Sequence, residues 1–134
     1  MNDARNTLTA LAQMQAAPGD ELHAQGVIEI AGPSIEALLA FYTALGFRIE
    51  RRAGTFAVIN GFGARLFLEE NAAAPTLKRW ANIRIVVPDI DLVWSCVREL
   101  GLPVVHSIAN QSYGLRDFVL KDPCGFEIRF AQVL

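Results

Sequence analysis

Residues 82–102 run NIRIVVPDIDLVWSCVRELGL, and residues 27–47 run VIEIAGPSIEALLAFYTALGF. Both begin with a short alternating apolar segment that predicts a strand. Ser34 and Asp89 then precede apolar stripes of helical period, and each is a residue type that caps a helix N-terminus. The first stripe is Ile35, Leu38, Leu39, Tyr42 and Leu45, and the second is Ile90, Val93, Trp94, Val97 and Leu100. Gly46 and Gly101 close the two helices. A shift of 55 positions carries Ile28 onto Ile83, Ile30 onto Ile85, Ile35 onto Ile90, Leu45 onto Leu100 and Gly46 onto Gly101.

The pattern continues downstream. RIERRAG, TFAVING and GARLFLEE predict three strands with turns at Gly54 and Asn60-Gly61, and PVVHSIAN, LRDFVLKD and FEIRFAQ predict three more. Here a shift of 62 carries Phe56 onto Phe118, Val58 onto Leu120, Gly63 onto Gly125, Leu66 onto Ile128 and Leu68 onto Phe130. Two offsets that keep strand on strand and helix on helix predict an internal duplication. The expected fold is α+β: two tandem βαβββ modules, about 25–72 and about 78–132, with mixed sheets forming a groove. They make one domain over 23–134, after an N-terminal helical extension at 1–22. Within that extension, residues 3–17 carry an apolar stripe (Leu8, Leu11, Ala12, with Met14 nearby) that must pack on its own domain or on a second subunit.

Composition narrows the function. Hydrophobic residues make up 52% of 134, enough to build a core. The net charge of -2 has no basic cluster beside it, so no nucleic-acid surface is expected. No apolar run reaches spanning length, so no membrane partner is expected. The first twenty residues lack the pattern of a signal peptide, which makes cytoplasmic the expected location. Cys96 and Cys124 fit no metal or redox spacing and are expected as two thiols in a reducing compartment.

One helix per module covers one face of its sheet and leaves the other open. Ile28, Ile30, Leu66 and Leu68 in one half, and Ile83, Ile85, Ile128 and Phe130 in the other, should face the helices. Strand alternation then turns Val27, Glu29, Arg65, Phe67, Glu69, Trp80, Asn82, Arg84, Glu127 and Arg129 to the open faces.

IEALLAFYTALGF, PDIDLVWSCVRELGL and YGLRDFVLKDPCGFEIRF together resemble the vicinal-oxygen-chelate superfamily of glyoxalases, extradiol dioxygenases and bleomycin-resistance proteins. The resemblance spans roughly residues 25–132. Metal-using members of that family hold a divalent cation with one residue from the first and last strand of each unit. Carried over by distance from the motifs, these positions are Val27, Phe67, Asn82 and Arg129. Valine and phenylalanine offer no lone pair, arginine keeps its proton, and an asparagine amide is a weak single donor. The resemblance therefore points to the metal-free, bleomycin-resistance-type members, which are homodimers that sequester a ligand. No metal, no cofactor and no catalytic residue are assigned. A net charge of -2 argues against a strongly cationic drug as that ligand.

The expected ligand-binding residues are Glu29, Phe67, Trp80, Asn82, Arg84, Tyr113 and Arg129. Phe67 and Trp80 either wall the groove or pack across a sheet or subunit contact. Asn82, Arg84 and Arg129 either fix an anionic group or form local ion pairs, as with Glu127. The alternative function is a lyase, isomerase or dioxygenase of the same superfamily with a displaced or non-metal active site, using His106 and Glu127. A third is a structural or regulatory partner that kept the fold. Neither His23 nor His106 falls on a metal position, Tyr42 and Trp94 read as core, and Arg116 is expected to tie Asp117 or the Asp122-Pro123 turn.

Overall fold

The computed structural model describes residues 3–14, 27–74 and 82–134. Its elements run α1 (Asp3–Met14), β1 (Ile28–Gly32), α2 (Ile35–Ala44), β2 (Arg48–Ala53), β3 (Phe56–Gly61), β4 (Ala64–Glu70), β5 (Asn82–Val86), α3 (Ile90–Leu100), β6 (Val104–Asn110), β7 (Leu115–Lys121) and β8 (Glu127–Val133). The strands form two four-stranded sheets, β1-β4-β3-β2 and β5-β8-β7-β6. In each, the first and last strands pair in parallel and the other pairings are antiparallel. The architecture is therefore α+β with tandem βαβββ modules.

The duplication extends to individual hydrogen bonds. Ser34 accepts from the Ala37 N–H, and Asp89 accepts from the Leu92 N–H. At the other helix ends, Phe47 N–H donates to the Tyr42 carbonyl and Leu102 N–H to the Val97 carbonyl. A side chain from the end of each last strand also reaches the first turn of its helix. Glu70 accepts from the Ile35 N–H at 2.9 Å, and Gln132 accepts from the Ile90 N–H at 2.8 Å. These donors have no partner inside the helix, so the side chains tie helix to sheet while satisfying them.

Two sequence expectations need correction. The second hairpin of sheet one, between β3 and β4, turns at Phe62-Gly63, not at Asn60-Gly61, which lie at the end of β3 and in its pairing with β4. Phe62 takes φ 53 and Gly63 φ 75. Positive φ at both positions is the tight hairpin geometry that usually selects Asn-Gly. Tertiary contacts override that preference. The Phe62 ring packs 5.0 Å from Phe130 and 5.7 Å from Phe47, and its N–H donates to the Ala12 carbonyl.

The second correction follows from the first. Val58 pairs with Phe67 and Val119 with Arg129, so β3 maps onto β7 with a shift of 61, while β4 maps onto β8 with 62. The extra residue lies in the Asp122–Phe126 turn. Phe56 and Val58 thus face away from the helices, and Ala57 and Ile59, both fully buried, match Phe118 and Leu120. A one-residue slip exchanges the two faces of a strand.

The modules meet through their helix-covered faces. Phe41, Tyr42, Phe47, Phe62, Phe130, Phe118 and Trp94 form a run of ring contacts from α2 to α3, each pair 5.0–5.7 Å apart. The Tyr42 hydroxyl donates to Asp122 Oδ2 at 2.8 Å, joining the helix of module one to the turn of module two. Helix α1 packs on α3 and α2 of its own chain. Its Ala4, Leu8 and Ala12 are buried there, as the apolar stripe required. The predicted end of this helix, 15–17, lies outside the described residues. Leu8→Ala should cost about 2.7–5 kcal/mol, as for other fully buried leucines. Denaturant titration would check this, and a loss under 1 kcal/mol would mean that α1 is not integral to the core.

Candidate functional site

The open faces are built from rows of residues that pair across each sheet. In sheet one, one row runs Glu29, Phe67, Val58, Arg51 across β1, β4, β3 and β2. The duplicate row in sheet two runs Arg84, Arg129, Val119, His106. Both edge strands carry a register shift just before the last residue, between Ile49 and Arg51 and between Val104 and His106. Such a bulge re-aims the strand. In sheet one Glu50, the residue skipped by this shift, is reached across β3 by Arg65, whose Nε and Nη2 donate to its two oxygens at 2.9 and 3.0 Å.

On this first face Glu50, Arg51, Val58, Arg65 and Phe67 line a cavity of about 470 Å³. Its aromatic wall is reinforced by Phe56, whose ring meets Phe67 edge-on at 5.4 Å. The Arg51 guanidinium lies 5.9 Å from the centre of the Phe56 ring. Burial pushes the Glu50 carboxyl up, but hydrogen bonds from Arg65 and Asn60 and the charges of Arg65 and Arg48 outweigh this and hold it below the usual range. Asn60 is buried, and its Oδ1 has no hydrogen-bond partner.

The second face is organised by Asp117. Its carboxyl accepts from Arg84 at 3.1 Å, Gln111 at 3.1 Å and the Tyr113 hydroxyl at 2.6 Å. The Arg84 guanidinium also lies 5.9 Å from the Tyr113 ring centre. Burial alone would raise Asp117, yet these donors and the Arg84 charge keep it below the usual carboxylate range. Accepting the Tyr113 hydroxyl in turn pushes that phenol up. Beside this group Arg129 donates to the buried Glu127 at 3.1 Å, and Arg129 Nε is buried without an acceptor.

Asp117 and Glu50 set an acid limit on stability. Unfolded, they titrate near about 3.9 and 4.3. Folded, both lie lower, so their contribution is complete above about pH 5 and is lost as pH falls through the folded values. Stability should therefore drop below about pH 4. The Asp117→Asn, Glu50→Gln double variant should show a shallower drop in denaturant midpoints between pH 6 and 3. Parallel pH curves for the two proteins would refute the assignment.

The expected ligand residues divide between the two faces. Glu29 and Phe67 are neighbours in the row of sheet one; Glu29 is exposed and Phe67 half-buried. Arg84 and Arg129 are neighbours in sheet two, with Tyr113 brought to Arg84 through Asp117. Asn82 is exposed beside Glu127, two residues along β5 from that row and on the same face. Trp80 and His23 lie outside the described residues. His106 is exposed on β6. Arg116 pairs with Asp91 at 2.8 Å and with Asn110, rather than with Asp117 or the Asp122 turn. Glu50, Arg51 and Val58 are the lining residues that the sequence reading missed. Strand β2 is exposed along its whole length and so lacks the alternation that reveals facing, and the slipped β3 register hid Val58.

The donor chemistry does not fit a divalent metal. Phe67 has no donor atom, and Arg129 and Arg84, which keep their protons, are cross-strand neighbours on the second face. Among the described residues, no three His, Cys, Asp or Glu side chains form a group that could hold a metal ion. Among those residues also, no helix is long and apolar enough to cross a membrane.

Solved structures share this architecture. A glyoxalase/bleomycin resistance protein/dioxygenase from Alicyclobacillus acidocaldarius matches with TM-score 0.73 and 19% identity, over 84% of this chain and 92% of its own. A bleomycin-binding protein complexed with bleomycin matches with TM-score 0.71 and 20% identity, over 84% and 100%. A lactoylglutathione lyase from Agrobacterium tumefaciens matches with TM-score 0.65 and 15% identity, over 81% and 92%. At these identities the likeness is one of fold. A search of curated proteins finds no match. The family model for the Glyoxalase/Bleomycin resistance protein/Dioxygenase superfamily matches residues 24–130, nearly the whole of both modules, and the chain belongs to that superfamily.

Proposed function

We propose that this protein binds a small organic molecule on the open face of its first sheet, without a metal. The carrying observation is the cavity of about 470 Å³ walled by Phe67 and Val58 and edged by arginines. Its volume falls in the range of small-molecule pockets, which combine apolar walls with a few placed polar groups. A protein that only binds its ligand needs such a surface and no reacting group, and a bleomycin-binding protein complexed with bleomycin has a similar fold. The second face, with Arg84, Tyr113, Asn82 and Arg129, supplies further contacts in this reading.

The working form in this reading is a homodimer. Each sheet is covered by helix on one face only, and Ile49, Val86, Tyr113 and Val133 are exposed around the sheets. Cys96 and Cys124 are free and buried, which supports a reducing, cytoplasmic setting. A calorimetric screen of planar aromatic compounds, run with and without chelator, tests the proposal. The expected result is binding that chelator leaves unchanged and that Phe67→Ala weakens about tenfold, the scale of one lost ring contact. Binding that disappears with chelator, or that ignores Phe67→Ala, would refute it.

A further inference from the structure

The row that crosses the first open face is ordered by chemistry: acid, aromatic, aliphatic, base. Glu29, Phe67, Val58 and Arg51 pair in sequence across four strands. Strands in a sheet lie about 4.8 Å apart, so the two charged ends are roughly 14 Å apart at the backbone. The middle two residues give a continuous apolar strip, and Phe56 extends it on the Arg51 side.

The charges nearby are not equivalent. Glu50 and Arg65 bind each other through two hydrogen bonds and cancel within the cavity. Among the described residues, Arg51 has no carboxylate within salt-bridge distance, and neither does Glu29 have a cation. Both are exposed. The row therefore offers a cation at one end and an anion at the other. The duplicate row in sheet two has lost this order. Its end opposite His106 is Arg84, already paired with Asp117, and Arg129 replaces the aromatic.

We propose that the first face selects an elongated, flat aromatic zwitterion. Its carboxylate meets Arg51, its rings lie on Val58 and Phe67, and its ammonium group meets Glu29. This rests on the small-molecule reading of the same cavity and adds the ligand's charge pattern. A planar guanidinium suits a carboxylate because it can donate two parallel hydrogen bonds. Opposite charges at the ends also fix the direction in which the molecule lies.

Four probes test the proposal: biphenyl with a para carboxylate on one ring and a para aminomethyl group on the other, each singly substituted compound, and a neutral hydroxymethyl biphenyl. Calorimetry should show the zwitterion binding at least tenfold more tightly than any of the other three. Arg51→Gln should weaken the two carboxylates at least fivefold and leave the amine-only probe unchanged. Glu29→Gln should do the reverse. Both residues are exposed, so the variants should keep the parent's thermal midpoint, which verifies folding. Equal affinity of all four probes, with Phe67→Ala still weakening them, would overturn the charge pattern and leave small-molecule binding standing. Absence of binding by all four probes would overturn the charge pattern; if the wider aromatic screen also finds nothing, the binding reading falls with it.

Discussion

Asp122→Ala is expected to destabilise the protein by about 3–9 kcal/mol, since it strands at least three buried donors at about 1–3 kcal/mol each. The Asp122 side chain is buried and accepts from four groups. Oδ1 takes the Cys124 N–H and the Phe126 N–H at 2.9 Å each and the Cys124 thiol at 3.0 Å, while Oδ2 takes the Tyr42 hydroxyl at 2.8 Å. Burial, followed by the charge and hydrogen bond of Asp122, pushes the Tyr42 phenol well above its ordinary range, so it stays a donor. Burial and Asp122 also push the Cys124 thiol up to about 12, which keeps it protonated and unreactive. Tyr42→Phe removes only one donor and should cost about 1–2 kcal/mol. Urea titration of both variants checks the order. If Asp122→Ala cost no more than Tyr42→Phe, the turn would not depend on this residue. The motif Asp-Pro-Cys-Gly is thus more than a surface turn, because it fastens module two to the helix of module one.

Gly46→Ala is the second large effect, expected at about 3 kcal/mol or more. Gly46 takes φ 108, where a side chain alone costs about 1–3 kcal/mol. A Cβ there would also collide with the Leu8 carbonyl oxygen and lie 2.7 Å from its carbonyl carbon. These are backbone atoms of α1, so they cannot rotate away. The helix must lift, taking the fully buried Leu8 with it. Gly101 occupies the same position in module two with φ 66, but nothing lies within 4 Å of a Cβ there. Gly101→Ala should therefore cost only the backbone strain, about 1–2 kcal/mol. Thermal midpoints would separate the two, with a fall of roughly 10 °C or more for Gly46→Ala and at most about two-thirds of that for Gly101→Ala. Equal falls would show that α1 does not press on Gly46.

The contrast between these two glycines marks the boundary between local and tertiary information. Both were legible as helix stops, because a helix end in a positive-φ conformation favours glycine in any context. That only one of them carries a docked helix depends on residues far away in the chain. The same holds for Phe62. An Asn-Gly pair signals a hairpin turn, and the chain has one at Asn60-Gly61, yet the turn forms two residues later. Gly61 stays in the strand, where a Cβ would come within 3.0 Å of the Phe47 ring. Aromatic burial of Phe62 in the joint core offsets its unfavourable φ.

For the candidate site, the division is similar. Alternation along β1, β4, β5 and β8 placed Glu29, Phe67, Arg84 and Arg129 on open faces, because period two is a property of the strand itself. It also placed Arg129 beside Glu127, two residues apart on one face, as the ion pair now shows. Alternation could not show that β2 carries a bulge, that β3 is shifted by one position against its duplicate, or that Arg51 stands at the end of the row holding Phe67. Those features follow from pairing between strands distant in sequence. By itself the sequence determined the duplicated βαβββ plan, the helix caps and the apolar faces, all of which arise from short-range periodicity and capping. Only the tertiary structure decided where the hairpin turns, what α1 covers and which charges on the first sheet remain unpaired among the described residues, because each depends on which surfaces the folded chain brings into contact.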